Sequence, residues 1–199
     1  MRKYLLPITV IFLILALDIF LIGDQTKTIY QLNENESLKF PAFKTQDIKG
    51  NIITDEILYG KISMICLWVT KDAETSRELL MELSELQKNF SDKIQFVGLI
   101  GDVKEDDKPE KIEFAKQIAH NCPDDFLQLM VNDDFSDFLI HLKQAPTICF
   151  TDETGNIIGQ PIIGNEFQLI KKEANRLIEK DSPRIRALNI IQQDIFNHS

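Results

Sequence analysis

The chain is short of basic residues. Its 199 residues carry 22 Lys and Arg against 31 Asp and Glu, which gives a formal net charge of −9. Nucleic acids and anionic membrane surfaces are bound through clusters of basic side chains. We therefore expect no nucleic-acid partner, and the acidic balance favours solubility of the folded part.

Residues that carry chemistry are also few. The chain has three cysteines and three histidines, and no two cysteines stand at a Cys-x-x-Cys spacing. His120 and Cys122 lie two positions apart, but no second pair with zinc-ligand spacing accompanies them, so no metal site is predicted. The glycines form no phosphate-binding loop, and no Ser-His-Asp arrangement is readable. We therefore expect no cofactor.

What the chain does have is a long apolar run at its N-terminus. Residues 4–22 are apolar with few interruptions, and two basic residues precede them. About 20 apolar residues span a bilayer as a helix, and a basic flank stays in the cytoplasm. We interpret residues 1–23 as an uncleaved signal anchor, a single transmembrane helix with the rest of the chain outside the cytoplasm. A cleaved signal peptide is the alternative, although no A-x-A-like cleavage site follows Ile22.

The remainder divides into a polar tether (24–37), a folded domain (38–180) and a helical extension (181–199). Strands and helices alternate in the domain, which predicts an α/β fold with a central mixed sheet and helices on both faces. The predicted strands are 62–68, 94–100, 126–131, 145–151 and 157–163, and the predicted helices are 72–90, 109–121, 133–143, 166–179 and 184–196. Thr70 or Asp72 is expected to cap the first helix, and Asp133 or Asp134 the third. Residues 102–108 are interpreted as a solvated charged loop.

Four short motifs occur in an order that resembles a known family: Phe40-Pro41-Ala42-Phe43 followed by Gly50, Tyr59-Gly60-Lys61, Trp68-Val69-Thr70, and Ala145-Pro146-Thr147 followed by Asp152-Glu153-Thr154-Gly155. Together they resemble the TlpA/ResA-type (redoxin) branch of the thioredoxin-like superfamily over roughly residues 38–180. The resemblance implies a three-layer α/β/α fold around a mixed sheet. It does not imply the activity, because function depends on the site and not on the fold.

The resemblance also indicates a degenerate active site. In the family, a Cys-x-x-Cys pair opens the helix that follows the Trp-x-Thr motif, and its first thiolate is held at the helix N-terminus. Here the two positions hold Asp72 and Thr75, and a carboxylate and a hydroxyl cannot exchange disulfides. Glu78 matches an acidic residue that many relatives carry, and we interpret it as a solvated charge.

A substrate groove is the second implication of the resemblance. Pro146 matches the cis-proline that lines the groove of the family, and Ala145 precedes it. Trp68 and Thr70 precede the degenerate pair and are expected to belong to the same groove. A cis X-Pro bond follows from the geometry of the fold, so it can persist where catalysis has been lost.

The cysteines leave a further alternative open. Cys66 and Cys149 lie inside apolar strands and are expected to be buried and inert. If the fold is as the resemblance implies, their strands are neighbours, and a Cys66–Cys149 bridge is conceivable. Cys122, beside Pro123 at a helix end, is expected to be the most exposed and is the candidate reactive thiol.

The last predicted helix extends beyond the usual end of the family. Ile185, Leu188, Ile191 and Ile195 repeat at three- and four-residue spacings, and this set is called the C-terminal stripe below. Such a stripe must be buried, either against the domain or against a partner.

Three functions remain open from the sequence. The first is a membrane-anchored binding or accessory module of the cell envelope, which holds a protein client or assists a redox paralogue. The second is a thiol-disulfide oxidoreductase or peroxidase that uses a non-standard cysteine such as Cys122. The third is a structural subunit of a membrane assembly. We favour the first, with the membrane contacted through residues 4–22.

Overall fold

The computed structural model of the chain describes residues 39–142 and 144–180. The predicted anchor (1–23), tether (24–37) and C-terminal extension (181–199) lie outside these residues. Within the described part, no helix combines the length and the apolar character needed to cross a bilayer.

The described residues alternate strands and helices in the predicted order. In chain order they form β1 (Lys44–Gln46), β2 (Ile52–Thr54), β3 (Ile62–Trp68), α1 (Ala73–Phe90), β4 (Ile94–Ile100), α2 (Pro109–Ile118), β5 (Leu127–Met130), α3 (Ser136–His141), β6 (Thr147–Thr151), β7 (Ile157–Ile163) and α4 (Phe167–Lys180). The bounds of β3, β4 and β7 coincide with the predicted ones. The helices are shorter than predicted at one or both ends, except that α4 is shifted by one residue.

The strands form a five-stranded mixed sheet in the order β5-β4-β3-β6-β7. β3 is parallel to β4, and β4 is parallel to β5. β6 is antiparallel to β3, and β7 is antiparallel to β6. Parallel neighbours need a crossover connection, which α1 and α2 supply. The predicted central mixed sheet is therefore confirmed.

β3 is buried along its whole length, on both faces. Met64, Cys66 and Trp68 belong to one core cluster, which α1, α2 and α4 cover. Ile65 and Leu67, which alternate with them, belong to a second cluster on the opposite face. A strand buried on both faces appears in a sequence as a continuous apolar run, which is the pattern of residues 62–68.

The second face is covered mostly by irregular chain. Phe40 and Phe43, from the segment before β1, pack with Phe135 and Phe138, which lie just before and within α3. The ring centroids of Phe40 and Phe138 are 4.6 Å apart, and those of Phe43 and Phe135 are 5.0 Å apart. The first family-like motif therefore contributes core aromatics to this face.

The two outer strands of the sheet differ in what lies along their free edges and in the regularity of their backbone. At β5, the β1–β2 hairpin docks alongside: the Thr45 hydroxyl donates to the Met130 carbonyl at 2.6 Å, and the Ile48 amide donates to the Gln128 carbonyl at 2.9 Å. At β7 the pairing with β6 shifts register, Gly159 has a φ of 73°, and Pro161 lies within the strand.

The predicted cap of α1 is correct in position only, and the predicted cap of α3 is wrong. Asp72 stands at the N-cap position of α1, but a 3-10 turn over Thr70–Asp72 precedes it and its side chain makes no capping hydrogen bond. Its φ and ψ of −115° and 66° are outside the extended region that side-chain capping uses. Before α3, a 3-10 turn over Asp133–Phe135 is capped by Asn132, whose side chain accepts from the Asp134 amide at 3.1 Å, so neither Asp133 nor Asp134 is the cap.

A buried polar contact joins β3 to β5 across the intervening strand. The Trp68 indole Nε1 donates to Gln128 Oε1 at 2.9 Å, and Gln128 Nε2 donates to the Phe126 carbonyl at 3.2 Å. The amide passes over Gly98 of β4, where an added Cβ would lie 2.7 Å from Gln128 Cδ. Glycine at position 98 therefore makes the space that this contact needs.

We predict that Gly98→Ala destabilises the domain by about 1–3 kcal/mol, as overpacked core sites do. The added methyl must displace the Gln128 amide and thereby break its bond to Trp68. Urea unfolding of Gly98→Ala, Gln128→Ala and the double variant measures the effect. Gly98→Ala should cost clearly less when position 128 is already Ala, and an equal cost in both backgrounds would contradict this account.

Candidate functional site

The edge that corresponds to the predicted site lies where β3 and β4 end and β6 begins. Leu67 pairs with Thr147, so the residues that follow β3 lie beside those that precede β6. The Gly101 amide, just after β4, donates to the Trp68 carbonyl at 2.8 Å. Segments from three strands therefore meet here, which is the usual location of a site in an open α/β sheet.

The loop before β6 has the predicted cis bond, between Ala145 and Pro146. Pro146 is buried and Ala145 is half-buried. The Gly164 amide donates to the Pro146 carbonyl at 2.9 Å, and the Thr147 hydroxyl donates to the Gln144 carbonyl at 2.7 Å. The loop is therefore fixed from both sides, and Ala145 and Gln144 form its accessible part.

The start of α1 is held by a carboxylate from another strand. Asp102 follows β4 and accepts three hydrogen bonds: from the Thr70 amide at 2.8 Å, the Thr70 hydroxyl at 2.9 Å and the Lys71 amide at 3.2 Å. The Ser76 hydroxyl donates back to the Val69 carbonyl at 2.9 Å. Asp102 thus satisfies amides at the N-terminal side of α1 that have no helical partner.

Asp102 corrects the interpretation of residues 102–108 as a solvated loop. Its side chain is part-buried, and both of its carboxylate oxygens accept hydrogen bonds at the junction of β3 and α1. Asp102 could have been identified from its position two residues after the buried strand β4, at the edge of the sheet where sites form. Gln128 is the other residue that sequence reasoning missed. It could have been identified as the one polar residue within the apolar strand β5.

Two of the residues predicted to line the groove are buried beneath its surface. Trp68 has no exposed surface and lies in the core, so its side chain cannot contact a ligand. Thr70 is also buried, and its hydroxyl is taken by Asp102. The expected groove lining is therefore wrong for Trp68, which ends β3 in the core, and for Thr70, which lies buried in the 3-10 turn that follows β3.

The residues after Thr70 reach the surface. Asp72 and Glu78 are exposed and Thr75 is half-buried, at three-residue spacings along the start of α1. Within the described residues, none of these three side chains forms a hydrogen bond. The accessible groups at this edge are thus the oxygen groups at the start of α1, the exposed Lys71 that precedes them, and the Gln144–Ala145 loop opposite.

The three thiols lie away from this surface and are free. Cys66 pairs with Ile148 and Cys149 pairs with Ile65, so the two cysteines project to opposite faces of the sheet and belong to different core clusters. The conceivable Cys66–Cys149 bridge is therefore wrong. The alternation of side chains along a strand excludes it although the strands are neighbours.

Burial raises the pKa of all three thiols. The pKa of Cys66 is strongly raised, mainly by burial, and the pKa of Cys149 is raised to about 12 by burial. Cys122 is the most accessible of the three, yet burial raises its pKa to about 11, against a smaller opposing effect of a hydrogen bond with Ser84. A reactive thiol requires a lowered pKa, so none of these environments activates one.

A metal site is not formed around the residues that suggested one. The His120 ring Nδ1 lies 2.9 Å from the Gln117 carbonyl of its own helix end. In the two described stretches, no three His, Cys, Asp or Glu side chains come together in a way that could hold a metal ion.

Comparison with known proteins yields similarity in structure only. No protein-family model matches the chain, and no curated protein sequence matches it. The thioredoxin domain of a thiol-disulfide oxidoreductase from Bacteroides vulgatus superposes with a TM-score of 0.54 at 20% identity, over 69% of this chain and 96% of that one. A thiol:disulfide interchange protein from Bacteroides sp. does so with a TM-score of 0.54 at 21% identity, over 70% and 90%.

Yeast Sco1 with copper bound is similar as well, with a TM-score of 0.57 at 16% identity, over 75% of this chain and 98% of that one. At such identities the similarity concerns the arrangement of the backbone. It carries neither the activity nor the ligands of these proteins to this chain.

We predict that Asp102→Ala destabilises the domain by about 1–2 kcal/mol, because the Thr70 and Lys71 amides lose a charged acceptor. Asp102→Asn should fall between wild type and alanine, since one oxygen remains. Urea unfolding measures the difference, and Asp106→Ala serves as the control, because Asp106 is exposed on the same loop. Equal stabilities for Asp102→Ala and Asp106→Ala would show that the contact contributes nothing.

Proposed function

The chain has a thioredoxin-like fold, and from this premise we propose that it is a binding or accessory module that has lost the redox pair of its relatives. In this proposal the edge formed by α1 and the cis-proline loop holds a protein client or an active redox paralogue. Residues 4–22 anchor the module in the cell membrane, with the domain in the extracytoplasmic envelope.

The observation that carries the proposal is the chemistry at the start of α1. Asp72 and Thr75 stand where the family resemblance places the two cysteines, and both are accessible to at least some degree. The helix start is nevertheless well held, through Asp102 and Ser76. A retained loop geometry without a thiol supports binding rather than disulfide exchange.

The position of the three cysteines supports the same conclusion. Thiol-disulfide exchange needs an accessible thiolate. Cys66 and Cys149 are buried within strands, and Cys122 lies at the far end of α2, beside a cavity of about 250 Å³ between α2 and the β1–β2 turn. A raised pKa at each position counts against an oxidoreductase or peroxidase that works through a relocated cysteine.

We predict slow alkylation of the native chain by iodoacetamide at pH 7. With a pKa of about 11, Cys122 has about 100-fold less thiolate at this pH than a thiol with a pKa of 9.0. Its rate should rise with pH up to about 11, because the raised pKa shifts deprotonation upward, and Cys66 and Cys149 should react later.

Mass spectrometry of labelled peptides gives the three rates separately. The same chain unfolded in urea is the control, in which all three cysteines should react quickly. Rapid labelling of one native cysteine at pH 7 would contradict the proposal and support a thiol enzyme.

We predict that Asp72→Cys with Thr75→Cys confers insulin reduction in the presence of dithiothreitol, whereas the wild type gives none above the reagent. The pair would lie at the N-terminus of a helix, where the dipole and free amides lower the pKa of a thiol. A helix N-terminus that lowers the pKa of the first thiol by one unit, about 1.4 kcal/mol of thiolate stabilisation, gives about tenfold more thiolate near neutral pH than an unperturbed pair has.

The matched control is Glu85→Cys with Lys88→Cys. It has the same spacing on exposed positions near the C-terminal end of α1, where no free amides lie, and should remain close to the wild-type rate. Equal activity of the two pairs would show that the edge has no special role. Robust reduction by the wild type itself would overturn the proposed function.

A further inference from the structure

A second concave surface lies at the other end of the sheet from the cis-proline loop. A cavity of about 520 Å³ opens between the last turn of α4 and the turn that joins β6 to β7. Ile62, Ile158 and Leu177 contribute its apolar floor, and each of them packs in or against the first core cluster. The cavity is thus a gap in the cover of the core, at the start of β3.

The rim of this cavity is charged and locally fixed. On the hairpin turn, Asp152 accepts from the Thr154 amide at 2.9 Å and from the Asn156 amide at 3.0 Å. On α4, the Arg176 guanidinium donates to both oxygens of Glu173, at 2.8 and 2.6 Å. Because these charges already have partners, the apolar floor is the part of the cavity that an occupant would cover.

The chain leaves the described domain at the mouth of the cavity. Lys180, the last residue of α4, is itself one of the lining residues. Only residues 181–183 separate it from the predicted helix 184–196, and three residues reach at most about 10 Å. The sequence that follows therefore begins within reach of the apolar floor.

We propose that residues 184–196 of the same chain occupy this cavity, with the C-terminal stripe on Ile158 and Leu177. A segment attached at the rim has an effective concentration in the millimolar range, which favours it over a separate partner. Arg184, which lies on the same side of the predicted helix as the stripe, would approach the acidic hairpin turn at Asp152 and Glu153, so the charges are complementary. The stripe then completes the core cover and is not a surface for assembly.

Disulfide trapping in the full chain tests this proposal. Ile158→Cys is combined with Leu188→Cys, and as a matched control with Ile190→Cys, which is also apolar but lies on the opposite side of the predicted helix. Under mild oxidation, the pair with Leu188→Cys should form an intrachain disulfide at least about tenfold faster than the control, because only Leu188 belongs to the stripe that faces the cavity.

Peptide mapping separates the engineered disulfide from any that involves a native cysteine, and a non-reducing gel separates monomer from dimer. Disulfide-linked dimers in place of the intrachain product would show that the stripe pairs two copies, and would overturn the proposal. Equal trapping of the two pairs would overturn it as well.

Hydrogen exchange gives a second measurement that does not depend on substitutions in the cavity. In the full chain, Leu188→Asp should accelerate exchange of the amides of residues 177–180 about tenfold, because the cover of the last turn of α4 is lost. Ile190→Asp should leave those amides unchanged. Identical exchange in the wild type and in Leu188→Asp would contradict docking of the stripe.

Discussion

β3 is buried on both of its faces, and the positions of the other layers follow from this. One set of its side chains requires cover by α1, α2 and α4, and the alternating set requires cover by α3 and the phenylalanines of the N-terminal segment. Its two neighbours, β4 and β6, run in opposite directions. The end of β3 therefore meets the end of one strand and the beginning of another, and the candidate site lies where they meet.

The site edge is held by contacts between residues that are distant in sequence. Asp102 binds the turn before α1 from 32 residues away, and Gln128 holds the Trp68 indole from 60 residues away. Such contacts connect the segments of this edge through side chains that lie on different elements. The support of the edge therefore comes from Asp102 and Gln128, and not from the residues at positions 72 and 75.

The sequence predicts the parts of this structure that depend on local pattern. The continuous apolar runs of β3 and β4 determine their bounds, and the turn at Asp152–Asn156 determines the start of β7. The local pattern does not show which residue across the sheet completes a helix start, so Asp72 was expected to do what Asp102 does. It also does not show register, and for that reason Cys66 and Cys149 were considered as a pair although they project to opposite faces. The local pattern also does not show whether the chain after a buried strand lies in the core or at the surface. Trp68 and Thr70 were therefore expected in the groove lining, although both are buried.

The outer strand β7 affects whether neighbouring molecules can pair through the edges of their sheets. An unprotected strand at the margin of a sheet offers a row of free amides and carbonyls, and neighbouring molecules can pair along it into stacks. Pro161 has no amide hydrogen to contribute to such a row. Gly159, with a φ of 73°, interrupts the extended backbone of the strand. Copies held side by side in one plane would thus be able to crowd without joining into a common sheet.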